Sequence, residues 1–192
     1  MTLNRKLKKA LLYSVLLLAI IAGALYLAGL AKENSFIRQI VVEYGYFGIF
    51  IISIISGFNL AVPIPAISFL PLFVESGLNF WTSIVLISLG MTIADGVAYF
   101  LGKLGWHITR ETMERSITSR FEKIKARHTS WPLMLLFVFA SLAPFPNEVL
   151  VIPMGFLGYK IKTILPIVFA GNFLFNLLYS SGIIKVFNVI AS

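Results

Sequence analysis

Hydrophobic residues in this chain gather into five long blocks, interrupted mostly by proline, glycine and asparagine rather than by charge. The first, Ala10–Ala31, runs for 22 residues, enough to cross a hydrocarbon layer of ~30 Å, and predicts a transmembrane helix. Arg5, Lys6, Lys8 and Lys9 precede it as in a signal peptide. Its apolar run exceeds the roughly 7–15 residues of a cleavable core, so we read it as an uncleaved span. In Lys32–Tyr44, the residues Phe36, Ile37, Ile40, Val41 and Tyr44 recur at helical spacing opposite Arg38, Gln39 and Glu43, which predicts an interfacial helix. Tyr46–Ser76 is apolar but broken by Asn59, Pro63 and Pro65, leaving arms too short to span. A re-entrant hairpin is expected there, its irregular backbone shielded from lipid by protein or a water-filled cavity. Phe80–Lys103 predicts a full span, Pro132–Tyr159 a second hairpin broken at Pro144 and Pro146, and Thr163–Ile184 the last span.

The two broken blocks are related. Phe58, Pro63, Pro65, Gly77 and Gly90 recur 81 residues later as Phe139, Pro144, Pro146, Gly158 and Gly171, and Asp95 falls on Asn176. Little else is identical, so the spacing of helix breakers carries the inference of an internal repeat. The expected fold is an all-α integral membrane protein. An N-terminal transmembrane and interfacial helix occupies residues 1–43, a first hairpin-plus-helix unit 44–103, a cytoplasmic amphipathic linker 104–131 and a second unit 132–192.

Composition closes the alternatives. Of 192 residues, 58% are hydrophobic and 12% charged, against about 25% charged in soluble domains, and the mean hydropathy is +0.90. A net charge of +8 could suggest nucleic acid, but the basic residues cluster at helix ends, where they act as topology signals and headgroup contacts. Seven Lys/Arg against three acids lie between Lys103 and Arg127, and Lys160 and Lys162 flank the second hairpin. Placing these on the same side as the basic N-terminal tail gives a cytoplasmic N-terminus, three spans, one hairpin from each face and an external C-terminus. The two units are then inverted, an arrangement that places a substrate site near the bilayer midplane. Lys103, Lys160 and Lys162 become the headgroup contacts. In the linker, Met113, Ile117, Phe121 and Ile124 share one helical face, and His107 and His128 read as surface residues.

Candidate chemistry centres on Asp95, an acid buried in a span, which costs several kcal/mol unless it meets a partner or water. It is a candidate proton acceptor or substrate contact, the alternative being a structural acid held by Tyr99 or a backbone N–H. Gly90, Asp95, Tyr99 and Gly102 are expected to share roughly one face. Glu148 follows Asn147 at the second break, as a second proton or substrate group or as a cap of the returning helix, a role that also suits Asn147. Asn59 is expected to satisfy backbone freed by the first break. Asn172, Asn176 and Ser180 form an i, i+4, i+8 stripe that glues helices or lines a polar path, and Glu75 reads as a solvated group near the interface. No H-E-x-x-H, G-x-S-x-G or Walker loop is present, and cysteine is absent, so we expect no enzyme, cofactor or metal site.

Pro63-x-Pro65, the string Gly90-x4-Asp95-x3-Tyr99-x2-Gly102-Lys103-x-Gly105, and the second proline hairpin after Phe139-Ala140-Ser141 together resemble the DedA/VTT superfamily of SNARE-associated Golgi-like membrane proteins. The resemblance covers about Tyr44–Gly182. It implies a scramblase or flippase moving phospholipid or polyprenyl-phosphate headgroups across a prokaryotic plasma membrane, in some members coupled to protons. Where many bacterial members carry an acid before the first break and arginines around the second proline, this chain has Asn59, Ser141 and Asn147. Neither hairpin holds a cation, which points toward cationic or zwitterionic headgroups. The partners expected are therefore membrane lipids, with protons and a homo-oligomer left open. Two rival readings are a proton-coupled small-solute or ion transporter and a membrane scaffold or assembly factor acting through the basic linker.

Overall fold

The computed structural model describes residues 15, 18–30, 33–58, 65–110, 130–143 and 145–190, with the backbone alone at 107–110, 187 and 190. Asn59, Pro63, Pro144, the first part of the opening span, most of the amphipathic linker and the side chains of His107 and His128 lie outside the described residues. Among the described residues the regular structure is all helical: α1 (Leu18–Leu30), α2 (Ser35–Gly57), a 3-10 turn (Ala66–Phe69), α3 (Leu70–Glu75), α4 (Phe80–Arg110), α5 (Ser130–Leu142), α6 (Glu148–Phe156) and α7 (Ile161–Ile190).

Within these, Ser35–Gly57, Phe80–Trp106 and Ile161–Val186 are long and apolar enough to cross a membrane. Phe36, Phe47, Trp81, Phe100, Leu101 and Trp131 are exposed, a surface suited to lipid rather than water. The molecule is membrane-embedded. The 13 residues of α5 and the 9 of α6 rise about 20 and 14 Å at 1.5 Å per residue, too little to cross.

The first broken block departs from expectation. An interfacial helix ending at Tyr44 and a separate arm beginning at Tyr46 are in fact one helix, α2. Asn34 starts it, its Oδ1 accepting hydrogen bonds from the backbone N–H of Phe36 at 3.0 Å and Ile37 at 3.3 Å, which satisfies two otherwise orphaned donors. No proline follows before Pro63, and the glycines at 45 and 48 weaken a helix without ending it.

From the end of each short helix onward, the offset of 81 holds bond for bond. Ser76 N–H donates to Leu72 O and Leu157 N–H to Pro153 O; Gly77 N–H donates to Val74 O and Gly158 N–H to Gly155 O; Leu78 N–H donates to Phe73 O and Tyr159 N–H to Met154 O. Gly77 and Gly158 take φ of +104° and +72°, the left-handed conformation that closes a helix C-terminus and favours glycine. Three residues after each glycine a long helix begins, at Phe80 and Ile161.

Contacts fix how the short helices lie. Gly45 and Tyr46 of α2 sit level with Leu78 and Asn79, the Tyr46 hydroxyl accepting from Asn79 N–H at 3.0 Å, and Gly57 abuts Met91 and Ala94 in the middle of α4. On the other side, Leu133 and Leu136 of α5 pack near Ile161, Ile164 and Val168, while Ala140 abuts Gly171. α6 then descends along the second half of α4, from Asn147 beside Asp95 to Gly155 against the Tyr99 carbonyl and Ile152 against Gly102. Two apolar cores result, one around Ile49, Leu70, Phe73, Ile84 and Ile87, the other around Leu136, Val151, Met154, Ile164 and Val168. A third, smaller cluster joins α1 to α3, Leu25 and Ala28 packing on Leu72.

Candidate functional site

Between the two cores runs a polar seam. On α4, Ser88, Thr92 and Asp95 occupy one face at i, i+4 and i+7, and α7, which packs against it, presents Asn172 and Asn176. Asn176 Nδ2 donates to Ser88 Oγ at 3.1 Å. Asn172 Nδ2 donates to Thr92 Oγ1 at 3.3 Å and to Asp95 Oδ2 at 3.0 Å. Asn147 Nδ2 completes a closed triad, donating to Asp95 Oδ2 at 3.2 Å and to Asn172 Oδ1 at 2.8 Å. Asp95, Asn172 and Asn176 are each 1–2% exposed. Neutral amides thus do for this carboxyl what a buried acid requires, supplying hydrogen bonds in place of lost water.

Asn147 precedes the first residue of α6, yet its side chain makes no capping hydrogen bond, because its amide is committed to Asp95 and Asn172. The expected capping role is therefore replaced by one that ties α6 to α4 and α7. Glu148, the first residue of α6, follows it and is also buried, 3% exposed.

A cavity of about 350 Å³ opens beside the triad. Its wall draws on the residues after both breaks: Pro65, Ala66, Ile67 and Ser68 from the first, Phe145, Pro146 and Asn147 from the second, with Asp95, Asn172 and Asn176 between them. Phe145 is 66% exposed and Tyr179 is 40% exposed, so the cavity wall reaches the outer surface of the bundle. Phe175 and Tyr179 stack there with ring centroids 4.2 Å apart, and Ile21 of α1 belongs to the same lining.

Of the residues singled out in the sequence, Asp95, Asn147, Asn172, Asn176, Pro65 and Pro146 meet at this cavity. Glu148 is buried beside it without contributing to its wall. Tyr99 does not join them: its hydroxyl donates to the Tyr159 carbonyl at 2.7 Å, fastening α4 to the turn before α7, and Asp95 is held by amides instead. Nor does Gly90 share the face of Asp95. Five residues advance a helix by about 500°, about 140° past a full turn, and Gly90 faces α2, where a Cβ would stand 2.6 Å from that of Ser53. Ser180 donates to Leu177 O within its own helix. Glu75 is half-buried rather than solvated, and Lys103, Lys160 and Lys162 are exposed. Among the described residues no group of three His, Cys, Asp or Glu could hold a metal ion.

Sequence reasoning missed the hydroxyls. Ser88 and Thr92 donate to carbonyls four residues back, Ile84 O at 2.8 Å and Ser88 O at 2.7 Å, as serine and threonine do in any apolar helix, so nothing marks them in advance. Ser68 did carry a signal, being the first polar side chain after Pro65. No family model matches the chain, and neither does any curated protein or solved structure.

Proposed function

We propose that this protein translocates lipid headgroups across a prokaryotic plasma membrane, as its resemblance to the DedA/VTT superfamily implies, on the inverted-hairpin plan expected from its helix breaks and charge asymmetry. The observation that carries the reading is the shared cavity: segments following both helix breaks line it together with a buried acid. The course of the helices supports hairpins entering from opposite faces. α2 passes the start of α4 at Gly45 and Tyr46 and stops at its middle, after which α3 leads back to Gly77 and Leu78; α5 runs along α7 from near Ile161 to Gly171, after which α6 leads back along the second half of α4. Lys103 on the second half of α4 and Lys160 and Lys162 around the start of α7 are exposed, and we take that end as cytoplasmic.

A headgroup crosses lipid slowly because its polar groups must shed water. A wall of amides, hydroxyls and a carboxylate replaces part of that hydration, while the exposed Phe145 and Tyr179 leave the acyl chains in contact with the bilayer. This sideways exposure favours lipid over a small solute, which requires an enclosed site.

The test is reconstitution into vesicles holding acyl-labelled phospholipid, with transbilayer movement read by dithionite quenching, with and without a pH gradient. We expect movement at least about tenfold faster than in protein-free vesicles, and Glu148→Gln to slow it about threefold, a rate change of under 1 kcal/mol in barrier, because Glu148 borders the cavity without lining it. Movement at the protein-free rate would remove translocation from the account.

A further inference from the structure

We infer that the cavity selects headgroups carrying an ammonium beside a phosphodiester, of the ethanolamine or choline type, over anionic headgroups and phosphate monoesters. The inference rests on the translocation reading and names its substrate.

Charge is the first ground. Asp95 lines the cavity, and no Lys, Arg or His does so among the described residues. Residues 59–64 and 144, which adjoin these in sequence, carry none either. A phosphate monoester, close to a dianion, needs charge-assisted donors when it leaves water, and among the described residues the cavity wall offers it no cationic side chain. An ammonium instead gains the carboxylate, and the aromatic residues Phe175, Tyr179 and Phe145 of the lining are of the type that adds cation–π attraction, which strengthens with desolvation.

Ser68 is the second and independent ground. It is 1% exposed, its Oγ has no hydrogen-bond partner among the described residues, and it lines the same cavity. A buried hydroxyl left unsatisfied costs about 1–3 kcal/mol, which a ligand oxygen relieves. A phosphodiester supplies one. The amides of Asn147 and Asn172 add to this, because an ammonium that takes over Asp95 Oδ2 releases both Nδ2 groups to donate to phosphate. The triad exchanges internal hydrogen bonds for bonds to a zwitterion without stranding a polar atom.

The experiment compares acyl-labelled phosphatidylethanolamine, phosphatidylcholine, phosphatidylglycerol and a polyprenyl phosphate in the same vesicles, for wild type, Asp95→Asn, Ser68→Ala and Ser68→Thr. Wild type is expected to move the two zwitterionic lipids about tenfold faster than the other two, equivalent to one carboxylate–ammonium contact of about 1.4 kcal/mol. Asp95→Asn should bring that ratio close to one. Ser68→Ala should slow both zwitterionic lipids about threefold, and Ser68→Thr, which keeps the hydroxyl, should restore them. Labelled glycerophosphoethanolamine, the same headgroup without tails, should enter no faster than into protein-free vesicles; faster entry would overturn a lipid as the source of the headgroup. Equal rates for all four lipids, or faster movement of the anionic ones, would overturn the selectivity and leave translocation standing. Protein-free rates for every lipid would overturn both.

Discussion

Asparagine in place of Asp95 is expected to leave the helices assembled and to slow movement of an ethanolamine phospholipid about tenfold, whereas leucine there should loosen the fold itself. Asparagine keeps an oxygen that accepts from Asn147 and Asn172, so the triad closes without its charge. Leucine removes the acceptor. One N–H of each amide is then left without a partner between two apolar cores, at about 1–3 kcal/mol apiece, and α6 loses a bond that holds its start against α4 and α7. Thermal unfolding in detergent, followed by size-exclusion fluorescence, separates the two variants: the midpoint should hold for Asp95→Asn and fall for Asp95→Leu. Equal transport by Asp95→Asn and wild type would make this acid a structural group only.

Valine at Gly102 or Gly155 should be the most damaging change away from the cavity. A Cβ on Gly102 runs into the Ile152 carbonyl oxygen, and one on Gly155 into the Tyr99 carbonyl oxygen. Each helix thus uses its glycine to accept the other's backbone, the close approach that drives helix association where lipid removes the hydrophobic incentive. Overpacking costs about 1–3 kcal/mol where side chains can yield, and here the obstacle is backbone. Lifting α6 also withdraws Asn147 from Asp95, so transport and stability should fall together. Gly48→Ala is the control, since nothing lies within 4 Å of a Cβ there and alanine is the better helix former by about 1 kcal/mol. Wild-type melting of both valine variants would show that α4 and α6 are not so closely apposed.

What could be read in the sequence was what local chemistry dictates. The turns at Gly77 and Gly158 were legible because a helix end that needs a left-handed residue selects glycine, and the 81-residue offset survives there in the hydrogen bonds themselves. The continuity of α2 was not legible, since the polar face of Arg38, Gln39 and Glu43 suits an interfacial helix as well as the lower turns of a longer one. In the structure Arg38 Nε lies 3.4 Å from the Ser76 carbonyl, a long-range contact that no local pattern announces. The cavity was legible in Asp95, Asn172 and Asn176, because polar groups at helical spacing inside apolar runs must face protein. Tyr99 was misassigned for a related reason: spacing places a hydroxyl on a face, while the carbonyl of Tyr159 comes from a turn 60 residues away. Ser68 is marked in the sequence only by its place after Pro65, and its lack of a partner among the described residues is a property of packing.

The central claim, that headgroups pass along the cavity shared by both helix breaks, is open to one direct measurement. The chain has no cysteine, so Ala143→Cys places a single thiol at a half-buried position in the cavity wall. Lipid movement is recorded in vesicles before and after that thiol is alkylated with a bulky maleimide, the extent of labelling being measured by mass spectrometry. The account predicts that movement falls to the protein-free rate in proportion to labelling. An unchanged rate at full labelling would contradict it.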